Sequence, residues 1–260
     1  MTKYETLRIT PTVKTSVPRF AVAGMYSEDV ANFAIHAALI DESSDVQHGK
    51  PVALFHMCPP LVTGSTEATA NDLANLPVDI VSVVSLTSDE LRKMEEWRHR
   101  ISKYTENRAV RNLKGPFRQY LIHPHKLAVR SELGRLMYFR YSCVGLVIDC
   151  YEAAGIATLV LNQEMPEIDE DMLQQSYPEI ARLEKVYQKK PDAQPLVNLG
   201  FKGIRELGLG DRPWRPILVG YLFHSLSRFT QESPRPPAYH PESVACRLFP
   251  TLEKPNSQTT

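Results

Sequence analysis

Short apolar segments rich in β-branched residues, separated by turn residues, fill the first 87 residues of the chain. Apolar segments bounded by Pro, Gly and Asp indicate strands. The polar segment Glu42–Lys50 predicts a hairpin loop between two of them. We therefore expect a strand-rich first third, with strands at Tyr4–Ile9, Arg19–Gly24, Ala34–Ile40, Val52–Met57 and Ile80–Leu86.

The hydrophobic period changes after residue 87. Thr87-Ser88-Asp89-Glu90 has the form of a capping box, with acidic residues in the first turn of the helix that follows. Apolar residues then recur every three or four positions, which is the period of an amphipathic helix. The pattern predicts a helix that packs on the core through Leu91, Met94, Trp97, Ile101 and Tyr104.

The rest of the chain predicts shorter elements. We expect a loop or short strand at Lys114–Lys126, helices at Ser131–Phe139, Cys143–Ala154 and Pro178–Lys189, a strand at Ile156–Leu161, an acidic loop at Met165–Tyr177, and a proline- and glycine-rich region from Pro191 that the apolar segment Ile217–Phe229 interrupts. This order predicts an α+β fold. We expect one domain over residues 1–250, with a helical insertion at about 88–140 and a disordered tail at 251–260.

Composition narrows the class of protein. With 43% hydrophobic and 23% charged residues, the 260-residue chain is typical of a globular protein that can bury a sizeable core. Its 30 basic and 30 acidic residues cancel, which argues against a nucleic-acid or anionic-membrane partner. No apolar run reaches about 18 residues and the first 13 residues are polar, so we expect no membrane span and no signal peptide. These features predict a reducing, cytoplasmic setting and define no oligomeric state.

The spacing of the four cysteines does not match a disulfide framework, and one of them, Cys143, is a candidate nucleophile. None belongs to a C-x-x-C pair, so neither a disulfide framework nor a metal or cofactor site is expected. Cys143 lies where a helix is predicted to begin, and a helix N-terminus favours thiolate over thiol. Gly145 leaves room beside it. Cys150, two turns further on, is expected to be an inert buried thiol, and Cys58 and Cys246 match no motif.

Two upstream histidines are candidate partners of Cys143. His36 and His56 lie in the two predicted strands that flank the polar loop, so strand pairing would place both on one face. A cysteine with a histidine supplies a nucleophile and its base, and a further polar group fixes the tautomer. A histidine in an apolar strand is also typical of a satisfied core residue. His224 is the alternative base, and His123-Pro124-His125 lacks further metal ligands and predicts a loop.

The cysteine segment resembles a known family. Tyr141-Ser142-Cys143-Val144-Gly145-Leu146-Val147, continued by Tyr151-Glu152-Ala153-Ala154-Gly155-Ile156, is similar to the nucleophile helix of NlpC-type cysteine peptidases. Val144 stands where that family often has serine. The order of histidines before cysteine resembles the permuted branch, which includes the lecithin–retinol acyltransferase relatives. There, His36–Asp41 and Gly49–Met57, followed by Pro59-Pro60, resemble the two histidine-bearing strands.

The resemblance implies a circularly permuted papain-like fold, in which an antiparallel sheet packs against the nucleophile helix. It implies Cys143 as nucleophile, His36 as general base and His56 as third member of a triad. The leading hypothesis is hydrolysis of an amide or peptide bond through an acyl-thioester. The same intermediate also permits an acyltransferase or cyclase that uses an ester or thioester donor. A non-catalytic binding module on a degenerate peptidase scaffold is the third hypothesis. The acidic segment Glu164–Asp171 either borders the cleft or is a solvated loop.

Overall fold

A computed structural model describes residues 4–26, 32–50, 52–57, 78–106, 121–177 and 208–251. Over these residues the chain has a mixed α+β fold with antiparallel sheets, which confirms the predicted class. The strands are β1 (Glu5–Arg8), β2 (Thr15–Val17), β3 (Val22–Tyr26), β4 (Ala34–Ile40), β5 (Ser44–Val46), β6 (Leu54–Phe55), β7 (Ile80–Val83), β8 (Lys126–Arg130) and β9 (Leu136–Tyr141). The α-helices are α1 (Ser88–Glu106), α2 (Cys143–Ala153), α3 (Glu170–Ser176) and α4 (Val219–Leu226). A 3-10 helix follows at Val244–Arg247.

The central sheet has five strands in the order β1-β7-β3-β4-β6, and every neighbouring pair is antiparallel. The strands β2 and β5 form a separate two-stranded ribbon, and β8 and β9 form a hairpin. The inner strands β3 and β4 are apolar at consecutive positions instead of alternating. Consecutive apolar residues are typical of a strand that is covered on both faces.

Helices and a ribbon cover the two faces of this sheet. Ala37 and Leu39 of β4 pack in the larger core, which contains residues of α1, α2 and α4. Ala38 and Ile40, which alternate with them, pack in a second core with residues of the β2–β5 ribbon. Helix α4 lies directly on the sheet, since a Cβ on Gly24 would come within 2.6 Å of the Phe223 ring.

The helix that begins at Cys143 is fixed by its cap and by its burial. The Ser142 hydroxyl accepts a hydrogen bond from the Gly145 N–H at 2.8 Å, which satisfies one of the free donors of the first turn. Gly155, at φ 82°, follows the last turn and adopts the left-handed conformation that glycine favours just past a helix. All of the first nine residues of α2 are buried, so the helix runs through the core.

A buried carboxylate on α2 ties the helix to its neighbours. Asp149 is 7% exposed, and its Oδ2 accepts hydrogen bonds from the Trp97 indole N–H and the Tyr141 hydroxyl, both at 2.7 Å. Its Oδ1 pairs with the Lys126 ammonium. These donors come from α1, β9 and β8, so one carboxylate holds three elements on one side of α2.

Several predicted elements are confirmed. Helix α1 begins where the capping box predicted, with reciprocal hydrogen bonds between Thr87 and Glu90. Three residues of its predicted stripe, Met94, Trp97 and Ile101, are buried in the larger core. The strands near residues 5, 22, 34 and 80 and the helix at Cys143 also form as expected, and the apolar segment Ile217–Phe229, for which no element was predicted, contains α4.

Three predictions are wrong. The helix expected at Ser131–Phe139 is a tight turn followed by β9, because Gly134 takes φ 73° and the aromatic residues after it pair with β8. The strand expected at Ile156–Leu161 is reduced to an isolated bridge between Leu159 and Tyr239. The loop expected at Met165–Tyr177 contains α3, whose first turn is capped by Asp169.

The polar loop Glu42–Lys50 contains the short strand β5, which pairs with β2. The predicted helix Pro178–Lys189 and residues 252–260 of the predicted tail lie outside the described residues. The single domain over residues 1–250 with an insertion at 88–140 stays a prediction. In the part of the chain that the structure describes, no helix combines the length and the apolar character needed to cross a bilayer.

Candidate active site

The register of the central sheet brings His36 and His56 together. His36 lies in β4 opposite Met25, and His56 follows the end of β6, whose Phe55 pairs with Leu39. The Nε2 atom of His36 and the Nδ1 atom of His56 are 2.8 Å apart. The two rings meet edge to face, with an interplanar angle of 74°. One ring therefore donates an N–H to the other, and the contact links the ends of two strands.

Burial keeps this histidine pair neutral. It lowers the pKa of His36 well below the ordinary value, and the neighbouring His56 lowers it further. Burial also lowers the pKa of His56 to about 4. Removing an imidazolium from water is unfavourable, and a second imidazolium beside it would be repelled. At neutral pH both rings are therefore unprotonated bases that share one hydrogen bond.

The Cys143 sulfur lies against the backbone of β4. The residue is 2% exposed and occupies the first position of α2. The backbone N–H groups of Ala37, Val144 and Cys143 itself lower the pKa of its thiol, which places them close to the sulfur. Directly after β4, the Asp41 N–H donates to the Ala53 carbonyl, so the N–H groups of Leu39 and Ala37 point to the same side, toward β6. Strand β6 ends at Phe55. The Ala37 N–H, which lowers the pKa of Cys143, lies beyond that end.

The Cys143 thiol is not the lowered-pKa group expected from its position at a helix start. Burial raises the pKa of Cys143 to about 11, and the three backbone N–H groups lower it only in part. A buried thiolate loses its hydration, and here that loss outweighs the helix N-terminus. The resting group is a thiol, and this corrects the expectation of a preformed thiolate.

The sheet separates the histidine rings from the apolar side of α2. Successive side chains of a strand leave on opposite faces, so His36 shares its face with Ala38 and its partner Met25. Both of those residues belong to the second core, whereas Ala37 packs in the larger core with Cys143. The structure thus brings the two histidines together on one face of the sheet and places Cys143 on the other face, beside the peptide group that follows His36.

A tyrosine that the sequence did not single out interacts electrostatically with Cys143. Tyr177 follows the last turn of α3 and is 6% exposed. Burial raises the pKa of Tyr177 well above the ordinary value, and the neighbouring Cys143 and Tyr221 raise it further. Its phenol therefore stays protonated and can donate a hydrogen bond. The signal available in the sequence was Asp169-Glu170-Asp171, which is typical of a capped helix start and would have placed Tyr177 at a helix end.

The other histidine candidates have different surroundings. The Nε2 atom of His224 lies 3.2 Å from the Leu248 carbonyl oxygen, and its ring stacks on Tyr239. The chain at His123 and His125 lines a cavity of about 630 Å³. The His125 carbonyl accepts the Ser142 N–H at 3.1 Å, so this cavity adjoins the start of α2. Among the described residues, no three His, Cys, Asp or Glu side chains are grouped to hold a metal ion.

The start of the acidic segment Glu164–Asp171 borders this cavity, which Cys143, His36 and His56 do not line, so its relation to a catalytic cleft stays a prediction. Glu164 and Met165 line it together with Trp214 and Arg215. Arg215 spans the segment, since its guanidinium lies 3.5 Å from Glu164 and 3.6 Å from Glu167 and donates to the Met165 carbonyl. The cavity has a size typical of small-molecule sites, and both apolar and charged residues line it.

Comparisons with known proteins identify no relative of this chain. No family model, curated protein or solved structure matches the chain. The roles of Cys143, His36 and His56 therefore remain predictions from the residues and their surroundings.

Proposed function

We propose that the protein is a cysteine-dependent hydrolase that cleaves an amide or peptide bond through an acyl-thioester on Cys143. One observation carries the proposal: His36 of the hydrogen-bonded pair His36–His56 is followed directly by Ala37, whose backbone N–H lowers the pKa of the Cys143 thiol. We propose further that the sheet and α2 form the permuted papain-like arrangement. The antiparallel strands β4 and β6, which bear the histidines, and the helix that starts at the cysteine support it.

The directions of the pKa shifts favour general-base activation of a neutral thiol over a preformed thiolate–imidazolium pair. The thiol has a raised pKa and His36 a lowered pKa, so the resting pair is neutral rather than a thiolate with an imidazolium. His36 then takes the thiol proton only as the sulfur attacks the carbonyl carbon, as a general base acts on a serine hydroxyl. The new C–S bond forms as the carbonyl π electrons move to oxygen.

The remaining steps use the same groups. In the proposed mechanism the N–H groups of Cys143 and Val144 donate to the oxyanion. As the C–N bond breaks, His36 returns its proton to the leaving amine, and the acyl-thioester remains. His36 then takes a proton from water, which attacks the thioester and releases the acid and the thiol. His56 orients the His36 ring through the 2.8 Å contact.

The His36 ring and the Cys143 sulfur, which lie on opposite faces of the sheet, have to meet at the edge of β4 beyond the paired part of β6. Strand β6 pairs with β4 at Leu39 and Ile40, and Ala37 lies beyond that paired segment. We therefore propose that the His36 ring, whose partner His56 follows the last residue of β6, moves to this edge when substrate binds. Catalytic contacts are often loose before substrate binds and tighten in the complex.

The test is acylation of Cys143 by an activated ester. We expect p-nitrophenyl acetate to add one acetyl group to Cys143, located by peptide mass spectrometry, and then to be turned over. His36→Ala should slow this acylation by about 10²- to 10⁴-fold, the usual contribution of a general base. His48→Ala, which removes an exposed histidine paired with Asp79, is the matched control and should leave the rate unchanged. Absence of an adduct on Cys143 in the native protein would refute the proposal.

Product analysis separates hydrolysis from acyl transfer or cyclisation. With a primary amine present, a hydrolase releases mainly acetate, whereas an acyltransferase releases mainly the acetylated amine. The acyl-enzyme on Cys143 is common to both reactions. This measurement therefore identifies the acceptor of the acyl group and does not bear on the identity of the nucleophile.

The burial of the thiol favours a second candidate, a binding module with an inert cysteine. A thiol with a pKa of about 11 and no base reacts with iodoacetamide at a rate that rises about tenfold per pH unit up to that value. His36→Ala would leave that profile unchanged. For the enzyme, in contrast, we expect a rate that is nearly constant between about pH 7 and 9 and that depends on His36.

A further inference from the structure

Cys246 is a second thiol with surroundings unlike those of Cys143. It lies in the 3-10 helix Val244–Arg247 and is partly exposed, whereas Cys143 and Cys150 are buried. Oxidants in water reach a thiol only when the sulfur is accessible. Of the three cysteines that the structure describes, Cys246 is therefore the one that a small oxidant can reach without opening the core.

A fixed tyrosine hydroxyl donates to this sulfur. The Tyr239 O–H lies 3.2 Å from the Cys246 Sγ. The backbone of Tyr239 is bonded on both sides, since its N–H donates to the Thr158 carbonyl and its carbonyl accepts from the Val160 N–H, both at 2.9 Å. The His224 ring stacks on the phenol. The donor is thus held in place before any reaction occurs.

A second hydroxyl, that of Tyr221, has no hydrogen-bond partner among the described residues and interacts electrostatically with Cys246. Gly220 packs so closely on the 3-10 helix that a Cβ would lie 2.4 Å from the Cys246 carbonyl oxygen. The next residue, Tyr221, is 0% exposed, and its hydroxyl forms no hydrogen bond within the described part of the chain. The pKa of Tyr221 is raised by burial and then by the neighbouring Cys246. An unsatisfied buried hydroxyl is unfavourable, so the arrangement calls for an acceptor that the resting thiol does not supply.

We propose that Cys246 is a modification site, at which a hydroperoxide oxidises the thiol to a sulfenic acid whose oxygen accepts hydrogen bonds from Tyr239 and Tyr221. The sulfur attacks the terminal peroxide oxygen, an S–O bond forms and the O–O bond breaks. The sulfur loses two electrons, the peroxide gains them, and the thiol proton leaves with the released water or alcohol. The new oxygen adds the acceptor that Tyr221 lacks.

The test uses the intact protein with hydrogen peroxide as oxidant and dimedone as the trap for sulfenic acid. Peptide mass spectrometry then gives the labelled fraction of each cysteine. We expect Cys246 to be labelled more than Cys143 and Cys150. Tyr239→Phe and Tyr221→Phe should each lower the label on Cys246 about fivefold, as expected for loss of one hydrogen bond to the sulfenic oxygen. Tyr138→Phe, on the distant hairpin strand β9, is the matched control and should leave it unchanged.

Two results would overturn the proposal. One is a labelled fraction at Cys246 no greater than that at Cys143 and Cys150. The other is a label on Cys246 that both phenylalanine variants leave unchanged. Both variants keep the ring that fills the core, and thermal unfolding of each checks that the fold is intact. The measurement reports on Cys246 alone and does not depend on whether Cys143 forms an acyl-thioester.

Discussion

Helix α2 carries two buried polar groups within two turns, and their surroundings differ. Asp149 accepts from Trp97 and Tyr141 and pairs with Lys126, so its charge is matched by donors from three elements. The pKa of Cys143, at the start of the same helix, is lowered by backbone N–H groups and raised more strongly by burial, so it stays a neutral thiol. The neighbouring histidines are also kept neutral by burial.

The charge state of the buried groups distinguishes a structural polar cluster from a candidate reactive one. A cluster that exists for stability satisfies its charge in the resting state, and removing one member leaves the others unmatched. A cluster that exists for chemistry holds groups whose protonation changes during the reaction. The pKa values of such groups are shifted from their ordinary values in the resting state. The predictions below test whether the Asp149 cluster and the Cys143 region belong to these two kinds.

The largest effect is expected from replacing both histidines by apolar residues. In His36→Leu/His56→Leu, both members of a neutral hydrogen bond are removed together, which is often neutral or stabilising for the fold. Acylation of Cys143 should fall by about 10²- to 10⁴-fold because the base is lost. Urea unfolding and the acylation rate measure the two outcomes. A large loss of stability with an unchanged rate would show that the pair is structural and would erase the contrast with Asp149.

Removing the carboxylate should have the opposite signature. Asp149→Ala leaves the Lys126 ammonium, the Trp97 indole and the Tyr141 hydroxyl without their acceptor. Breaking one member out of a buried ionic cluster typically costs about 3–5 kcal/mol. Urea unfolding checks the expected loss, with Asp45→Ala, at an exposed position of β5, as a control that should change little. A loss for Asp149→Ala as small as that of the control would contradict the structural assignment.

The same two regions show what the sequence could supply. The periodicity and cap signals gave α1 and α2, and the polar loop between two apolar strands led to the His36–His56 contact. Those signals are local, or concern strands that are neighbours in the chain. The pKa of Cys143 was expected in the wrong direction, because it depends on how deeply α2 is buried, and burial is a property of the whole core.

Long-range contacts account for the other omissions. The Asp149 cluster joins residues up to 52 positions apart, and Tyr177 reaches Cys143 only through the packing of α3. Neither contact has a spacing rule in sequence. The β9 strand was expected as a helix because Gly134, which closes the turn before it, was not weighted as a breaker.

Acid should destabilise the fold through the histidine pair. The pKa of His56 is about 4 in the folded chain and about 6.5 in the unfolded chain, so below pH 6.5 the unfolded state binds more protons. The free energy of unfolding should therefore be constant above about pH 6.5 and fall by about 3 kcal/mol as the pH drops from 6.5 to 4. His36, whose pKa is also lowered, adds to the same loss.

Urea unfolding at a series of pH values measures this slope. His36→Leu/His56→Leu should remove most of it, since the groups that take up protons on unfolding are gone. A slope between pH 6.5 and 4 that persists in the double variant would place its origin in other groups and would contradict the buried, neutral state of the pair.

The smallest effect compares two buried tyrosine hydroxyls, one with a partner and one without. Tyr141→Phe removes a 2.7 Å donor from Asp149, and leaving that charge under-satisfied should lower stability by about 1–3 kcal/mol. Tyr221→Phe removes a hydroxyl that has no partner among the described residues, so stability should change by less than about 0.5 kcal/mol or rise slightly. Both changes keep the aromatic ring and both sites are buried, so the hydroxyl is the only variable. Paired thermal unfolding of the two variants measures the difference. Equal losses of stability in the two variants would mean that the Tyr221 hydroxyl already has a hydrogen-bond acceptor in the folded protein. It would then not be available to donate to a sulfenic acid at Cys246.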